Sequence, residues 1–311
     1  MKNIWYYAVL YSVITLSSTQ AKVRLFTYAY NRPDFIEIQD KLFKKFVLDD
    51  YEFIVFDDAP NQQMSQQIAN TCTKLGIECV RFDQALHACP YLPRIPGDHA
   101  PTPSVRHAEI AQYSLDTYGI GHNDIVAIID ADMFLVKPFS FREYVKECPL
   151  AGYIKGDRIK FLWLGLIVMD MPHLPDTHDL SVNLGTIDGE WVDSGGHLHY
   201  YMRNHPEIKV KHIDAINLNA VSQDLPAQFL LMGPYHTMEE RFNSMMLKSL
   251  GLDEEQINFV RAGPINIQFF ANAHFLHYMT ASNWDHKNDM WHARKTMLFD
   301  QYINTIIAAA S

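Results

Sequence analysis

Asp130 and Asp132, separated by the small Ala131, make the one Asp-x-Asp in the chain. Two carboxylates at that spacing can converge on a single hard cation. Mg²⁺ or Mn²⁺ held there by oxygen keeps positions open for the oxygens of a diphosphate, so a diphosphate is the ligand the pair suits. Two aspartates alone hold a cation weakly, and a neutral imidazole is a fitting third ligand for Mn²⁺. His274 and His277 stand at the end of an apolar run, Ile265 to His277, that reads as a strand. Strand alternation sends the two to opposite faces, so only one can join the metal; the polar stretch Thr280 to Asn283 behind it favours His277. His197 and His199, two apart on an apparent helix, face different ways and are set aside.

The run Ile125-Val126-Ala127-Ile128-Ile129 leads directly into Asp130. Apolar residues without alternation are expected of a central parallel strand covered on both faces. In open α/β sheets, ligands bind beyond the carboxyl ends of such strands. Upstream, Val23 to Tyr28 and Tyr51 to Phe56 read as strands, and Ile77 to Phe82 as a shorter one. Helical patterns lie between them: one opening at Asn31-Arg32-Pro33-Asp34, the next over Gln62 to Leu75. Residues His87 to Pro103 form a long Pro- and His-containing loop, and Ser104 caps a helix to about Tyr118. That helix start carries Arg106, an anion site on one reading and a solvated side chain on the other. Later come a strand over Phe161 to Met169, a helix over His197 to Asn204 and a closing helix from Asp285 to about Ile307. Strand and helix repeated in this way predict an α/β doubly wound, mostly parallel sheet flanked by helices, in a single domain. Gly165, Gly195 and Gly196 stand where backbone could approach a ligand, and the indoles of Trp163 and Trp191 offer faces to a sugar ring.

The composition narrows the partners. A content of 48% hydrophobic and 20% charged residues is that of a globular chain with a sizeable core. A net charge of −10 disfavours a broad nucleic-acid surface, so no nucleic acid is expected, and a bound nucleotide would need a metal or local cations. Lys2, the apolar run Ile4 to Leu16 and the small residues to Ala21 describe a signal peptide. That run falls short of the ~20 residues of a spanning helix, and a membrane anchor over residues 4–16 is the competing reading. Export through a secretory pathway or anchoring at a membrane is therefore expected of residues 1–21. Cys72–Cys79 and Cys79–Cys89 are both open as disulfides, and no Asn-x-Ser/Thr occurs.

The segment Ile125 to Pro138 (IVAIIDADMFLVKP) resembles the DxD element of the GT-A nucleotide-diphospho-sugar transferases. The first strand with Thr27 to Pro33 resembles their nucleotide-facing opening, and Asp57-Asp58 the place where such folds meet base or ribose. The resemblance spans most of residues 23–200. It implies a GT-A-like domain over 22–311, its nucleotide-binding half at about 22–140 and its sugar and acceptor half at about 141–311. It implies Asp130 at ribose or metal, Asp132 at metal, and Thr27, Tyr28, Arg32, Asp57 and Arg106 around the nucleotide sugar. Trp163, Gly165, Gly195 and Gly196 resemble its sugar-facing walls. Asp193 falls where the family places an acid/base or sugar-contacting carboxylate, with a helix cap as the alternative. His277 and the segment to Trp284 resemble a C-terminal element that completes the metal site. The Gly and Lys-Pro of that element are missing, and Lys287 is the substitute at hand.

The function implied is a metal-dependent glycosyltransferase taking a nucleotide-diphosphate sugar to an acceptor hydroxyl on a glycan, lipid or protein. Two other readings compete. One is a catalytically silent GT-A-fold module that binds glycans or a partner; retention of both carboxylates argues against it. The other is a metal-dependent phosphohydrolase of the haloacid-dehalogenase type. Its motif needs Thr or Val two residues past the second aspartate, where Phe134 stands.

Overall fold

A computed structural model describes residues 22–88, 102–220, 229–231, 244–262, 267–279, 281 and 289–309. The first part of the chain alternates β1 (Val23–Ala29), α1 (Pro33–Phe46), β2 (Tyr51–Asp57), α2 (Gln62–Leu75), β3 (Glu78–Arg81), α3 (Ala85–Ala88), α4 (Pro103–Ser114) and β4 (Ile125–Ile129). There follow β5 (Met133–Leu135), α5 (Phe141–Val145), β6 (Leu150–Lys155), β7 (Phe161–Asp170), the hairpin β8 (Gly185–Ile187) and β9 (Glu190–Val192), and α6 (Leu198–Asn204). The last part holds β10 (Val210–His212), β11 (Ala215–Ala220), β12 (Phe229–Leu231), α7 (Ser244–Ser249), α8 (Glu254–Arg261), β13 (Ile267–Phe270), β14 (Phe275–Tyr278) and α9 (Asp289–Ala308).

The seven-stranded sheet has the order β10-β6-β7-β4-β1-β2-β3. β1 pairs in parallel with both β2 and β4, and β2 with β3, while β7 is antiparallel to both its neighbours. The chain therefore winds outwards from β1 to β3, returns, and resumes on the other side at β4. That reversal between β1 and β4 is a topological switch point, where the carboxyl ends of two adjacent strands leave a crevice. The doubly wound, mostly parallel sheet expected from the sequence is the one observed.

Alternation along β1 and β4 explains why the sheet is covered twice. Val23, Leu25, Ala127 and Ile129 face a layer containing Phe35, Leu42 and Phe43 of α1. Phe26, Tyr28, Val126 and Ile128 face the opposite layer, with Ile110 and Ala111 of α4. Each large apolar side chain buried in these layers contributes ~1.5–3 kcal/mol, which holds the strand ends in fixed positions at the crevice.

A second sheet, β12-β11-β13-β14-β5, is antiparallel throughout and shares a core with the first. It departs from the expected strand over Ile265 to His277. Two strands are present instead, joined by a turn in which Ala271, Asn272 and Ala273 all have positive φ. Asp214 makes that turn possible: its carbonyl accepts from Ala271 N (3.1 Å) and its carboxylate from Asn272 N (3.0 Å).

The helix before β4 also begins differently. Thr102, not Ser104, is its cap, with Oγ1 accepting from Val105 N at 3.3 Å. It ends in a π turn over Leu115–Gly119. Cys72, Cys79 and Cys148 are free thiols. Residues 1–21, Cys89, most of the loop after His87, Thr280, Lys287 and the start of the expected closing helix lie outside the described residues. Among those described, no helix is long and apolar enough to cross a membrane.

Candidate active site

The turn after β4 is held from three sides. Asp130 N donates to Gly165 O of β7 (2.9 Å), and Met133 N donates back to Asp130 O (3.0 Å). Buried Gln39, on α1, gives its amide N–H to the carbonyls of both Asp130 (3.0 Å) and Met133 (2.9 Å). The chain leaves this turn as β5, which pairs antiparallel with β14 so that Met133 stands opposite His277. Tyr278 N donates to Asp132 O at 2.8 Å, which locks the register beside the aspartates.

That register brings His277 Nε2 to 3.1 Å from Asp132 Oδ1. Its Nδ1 faces Gln268 Oε1 at 2.8 Å on the neighbouring strand β13. A neutral ring with its proton on Nδ1, donated to that oxygen, presents the Nε2 lone pair to the aspartates. One ligand atom from each of Asp130, Asp132 and His277 lies within 4.8 Å of the others. His274 is elsewhere: Nδ1 contacts Ala271 O (2.6 Å) and the ring packs against Phe139.

The electrostatics of the pair are uneven. Burial, and then the like charge of Asp132, push Asp130 up to about 7. Burial also acts to raise Asp132, but the His277 imidazole, the Ala281 N–H and Lys295 outweigh it and hold the carboxyl below its ordinary value. Two adjacent half-buried carboxylates of which one is pushed towards the protonated form are an arrangement that a cation between them relieves.

These groups line a cavity of about 380 Å³, a size ordinary for small-molecule sites. Tyr28 lies in its wall with its hydroxyl hydrogen-bonded to Ser114 Oγ (2.9 Å). Arg32 reaches it too, its guanidinium 3.7 Å above the Phe35 ring, paired with Asp34 and donating to Ala281 O (3.1 Å). Trp163, stacked on Phe270 at 5.5 Å, presents its indole. Asp193 also lines the cavity, 3.6 Å from Lys155 Nζ. It does not cap α6, whose N-cap is His197 without a side-chain bond; Asp193 Oδ1 instead accepts from the adjacent Ser194 N at 2.8 Å.

Several expected site residues stand outside the lining. Thr27, inside β1, is buried on the sheet face opposite Tyr28. Asp57 turns its carboxylate to Ala59 N (2.8 Å), Arg81 (2.9 Å) and Ser65 (2.5 Å), so it braces the end of β2. The next residue, Asp58, is the one in the cavity wall. Arg106 does line the cavity, yet its fork is committed to Asp58 (3.0 and 2.8 Å) and Gln84 (2.8 Å) and makes no open anion site.

At all three glycines an added Cβ would collide with the protein itself. A Cβ on Gly165 would meet the Trp163 ring at 2.0 Å, so this glycine gives the indole its place. A Cβ on Gly195 would meet Leu162 O at 2.0 Å and one on Gly196 the Val192 side chain at 2.3 Å. Gly195, with φ of +87°, lets the chain press against β7 on its way to α6.

Sequence reasoning passed over His107, Lys295 and Gln39. Lys295, on α9, is buried behind Asp132, donates to Met279 O and lies 4.0 Å over the Tyr278 ring. Burial pushes it down to about 7 against the pull of Asp132. A lone lysine in a helix far along the chain carries no pattern that marks it. His107 was adjacent to a residue already singled out, and its place on the buried side of α4 was the available signal.

No protein-family model matches the chain, and no curated protein matches it in sequence. Solved structures similar to it in part include GT-A-type glycosyltransferases. One is a mannosyltransferase from Pyrobaculum calidifontis in complex with GDP-Man and Mn²⁺, with 11% identity and a TM-score of 0.40, covering 63% of this chain and 55% of that one. The match thus spans about half of that enzyme's length. Another is the galactosyltransferase LgtC with donor and acceptor sugar analogues, at 12% identity and TM-score 0.38, covering 75% of this chain and 98% of that one. A third is glucosyl-3-phosphoglycerate synthase from Mycobacterium tuberculosis with Mn²⁺, UDP and glucosyl-3-phosphoglycerate, at 16% identity and TM-score 0.36, covering 62% and 69%.

Proposed function

We propose that the chain is a metal-dependent glycosyltransferase, moving a sugar from a nucleotide-diphosphate donor to an acceptor hydroxyl. The observation that carries this reading is the convergence of Asp130, Asp132 and His277 on one point in the cavity at the switch point of the sheet. Carboxylate oxygens with one imidazole nitrogen suit Mn²⁺ or Mg²⁺, and the crowding of Asp130 against the like charge of Asp132 supports a positive charge there. A cation so held would supply Lewis acidity to the leaving diphosphate.

The chain's own residues supply the rest. Tyr28, Arg32 and Asp58 form the wall proposed for the nucleotide. Lys295 in its protonated form, acting on Asp132, and Arg32 beside it put cationic groups next to the metal site in a protein of net charge −10, which lowers the cost of a diphosphate at this point. Trp163 offers a flat apolar face to the sugar. Asp193 is proposed to take the hydrogen bond, and in an inverting reaction the proton, of the acceptor hydroxyl, with Lys155 steadying its charge. Residues 1–21 are proposed as an export signal or anchor that would deliver this activity to a lumen or membrane surface.

Donor hydrolysis tests the reading directly. Asp130→Asn and Asp132→Asn are each expected to lower metal-dependent hydrolysis of a nucleotide sugar by ~100-fold or more, with circular dichroism unchanged. Full activity in either variant, or in excess chelator, refutes the metal mechanism. A fold that binds glycans but hydrolyses no donor points to the silent module.

A further inference from the structure

His107 stands in α4 and lines the cavity between Tyr28 and Asp130. Its ring is held edge-on to Tyr28, with centroids 5.1 Å apart. Tyr28 is in turn tied through its hydroxyl to Ser114 of the same helix (2.9 Å), so the imidazole has a defined orientation. Yet Nε2 is shielded from solvent and has no hydrogen-bond partner among the described residues. Asp130 Oδ1, at 3.6 Å, lies beyond hydrogen-bond reach. A buried polar atom left unpaired is destabilising, and native structures keep few of them without a use.

The surroundings select the chemistry of the missing partner. Asp193, Asp132 and Asp58 all act on His107 electrostatically, and Asp130 is adjacent. A second anion at that spot would be repelled by the same carboxylates. A neutral hydroxyl would not: it can donate to a carboxylate and share a hydrogen bond with the imidazole at once. Nor does His107 belong to the metal group, whose mutually close ligand atoms come from Asp130, Asp132 and His277.

We infer that a small rotation of the His107 side chain, 19% of which is exposed, turns Nε2 onto a hydroxyl of the transferred sugar, making α4 a determinant of which sugar the donor carries. This rests on the donor reading above. It adds a specificity residue that touches neither the nucleotide nor the cation.

Titration calorimetry with Mn²⁺ present separates the possibilities. The probes are GDP and UDP, then GDP-mannose, UDP-glucose and UDP-galactose, on the full chain, His107→Ala and the more conservative His107→Gln. The preferred nucleoside diphosphate is expected to bind all three proteins within about twofold. The matching nucleotide sugar is expected to bind His107→Ala about tenfold more weakly than wild type, the loss of one hydrogen bond, with partial recovery in His107→Gln. The wild-type preference between UDP-glucose and UDP-galactose, epimers at one hydroxyl, should narrow in step if UDP is the nucleotide bound. Equal weakening of diphosphate and nucleotide sugar overturns the inference and makes His107 a support for Asp130. Unchanged binding of both makes it structural. Failure of wild type to bind any nucleoside diphosphate with Mn²⁺ removes the donor reading itself, before a variant is needed. Near-ultraviolet circular dichroism of each variant identifies any loss that comes from misfolding.

Discussion

His277 joins the two aspartates through one inter-strand register, and its contribution can be read separately from theirs. Its Nε2 is 3.1 Å from Asp132, and Gln268 fixes the other nitrogen. His277→Ala is expected to weaken Mn²⁺ affinity ~10–100-fold while the protein stays folded, and Gln268→Leu to do so by less. Metal titration followed by tryptophan fluorescence measures both; unchanged affinity in His277→Ala removes it from the ligand set. A second residue-level prediction concerns pH. His87 is buried between Glu109, on Nδ1, and Asp58, 2.7 Å from Nε2. Burial acts to lower its pKa, but the two carboxylates outweigh it, so the net shift is upward from 6.5. A raised folded pKa means the protonated ring stabilises the native state fully below about pH 6.5, and that contribution is lost as pH rises through the folded value. Thermal midpoints of wild type against His87→Gln should therefore differ most in mildly acidic buffer and converge above it. A gap that grows with pH contradicts the assignment.

The short elements around the site are fixed by single contacts that can be tested one at a time. Gln39 belongs to α1 but serves the turn between β4 and β5, where two carbonyls accept its amide. Gln39→Leu is expected to cost ~1–3 kcal/mol in urea unfolding, since it takes the amide donor from the Met133 carbonyl and leaves Asp130 O with Met133 N alone. It should lower metal affinity as well, because the Asp130–Met133 turn loses its clamp. Gly165 plays the corresponding part on β7. An added methyl there meets the Trp163 ring at 2.0 Å, so Gly165→Ala should displace the indole and cost ~1–3 kcal/mol through overpacking. A wild-type tryptophan emission spectrum in that variant would show that the ring had not moved. The helix boundaries display the same dependence on local chemistry. α2 begins at Asn61, whose side chain accepts from Met64 N, and ends at Gly76 in the left-handed region with φ of 71°.

The assembled molecule should show linkage between the two ligands of the proposed site. A metal and a nucleoside diphosphate that share coordination each raise the other's affinity, and binding to the native state alone stabilises it by ~2.7 kcal/mol at a hundredfold excess over Kd. GDP or UDP with Mn²⁺ is therefore expected to raise the melting temperature by several degrees, and either one alone by little. A melting point unmoved by every nucleoside diphosphate with Mn²⁺ favours a module without donor chemistry. The shared core beneath both sheets makes this readout global: Ile129 and Phe134 beside the aspartates and Phe269 and Phe275 beside His277 belong to one apolar cluster. Strain or relief at the site is therefore transmitted to the cooperative unit as a whole.

How much of this was legible in the chain depends on the range of the interactions involved. The strand before Asp130, the helix over residues 33–46, the helix over 62–75 and the doubly wound arrangement follow from periodicity, Pro and Gly placement and caps, which act over a few residues. The meeting of Asp130 with Asp132 was equally local, since two residues at one strand end cannot be far apart. His277 was named from its chemistry, but only the pairing of β5 with β14 brings it to Asp132. Neither the turn at Ala271–Ala273, which cuts the expected strand in two, nor the capture of Arg106 by Asp58 has a local signature. Asp57 and Asp58 are indistinguishable by type, and which one faces the cavity is set by how β2 ends against α2 and α4. Gly165, Gly195 and Gly196 were recognised as positions of close approach, but whether a ligand or an indole fills the space depends on what the fold lays across them. Local preferences act between chain neighbours and can be read in order along the sequence. Side-chain partners drawn from distant segments exist only once burial has brought those segments together.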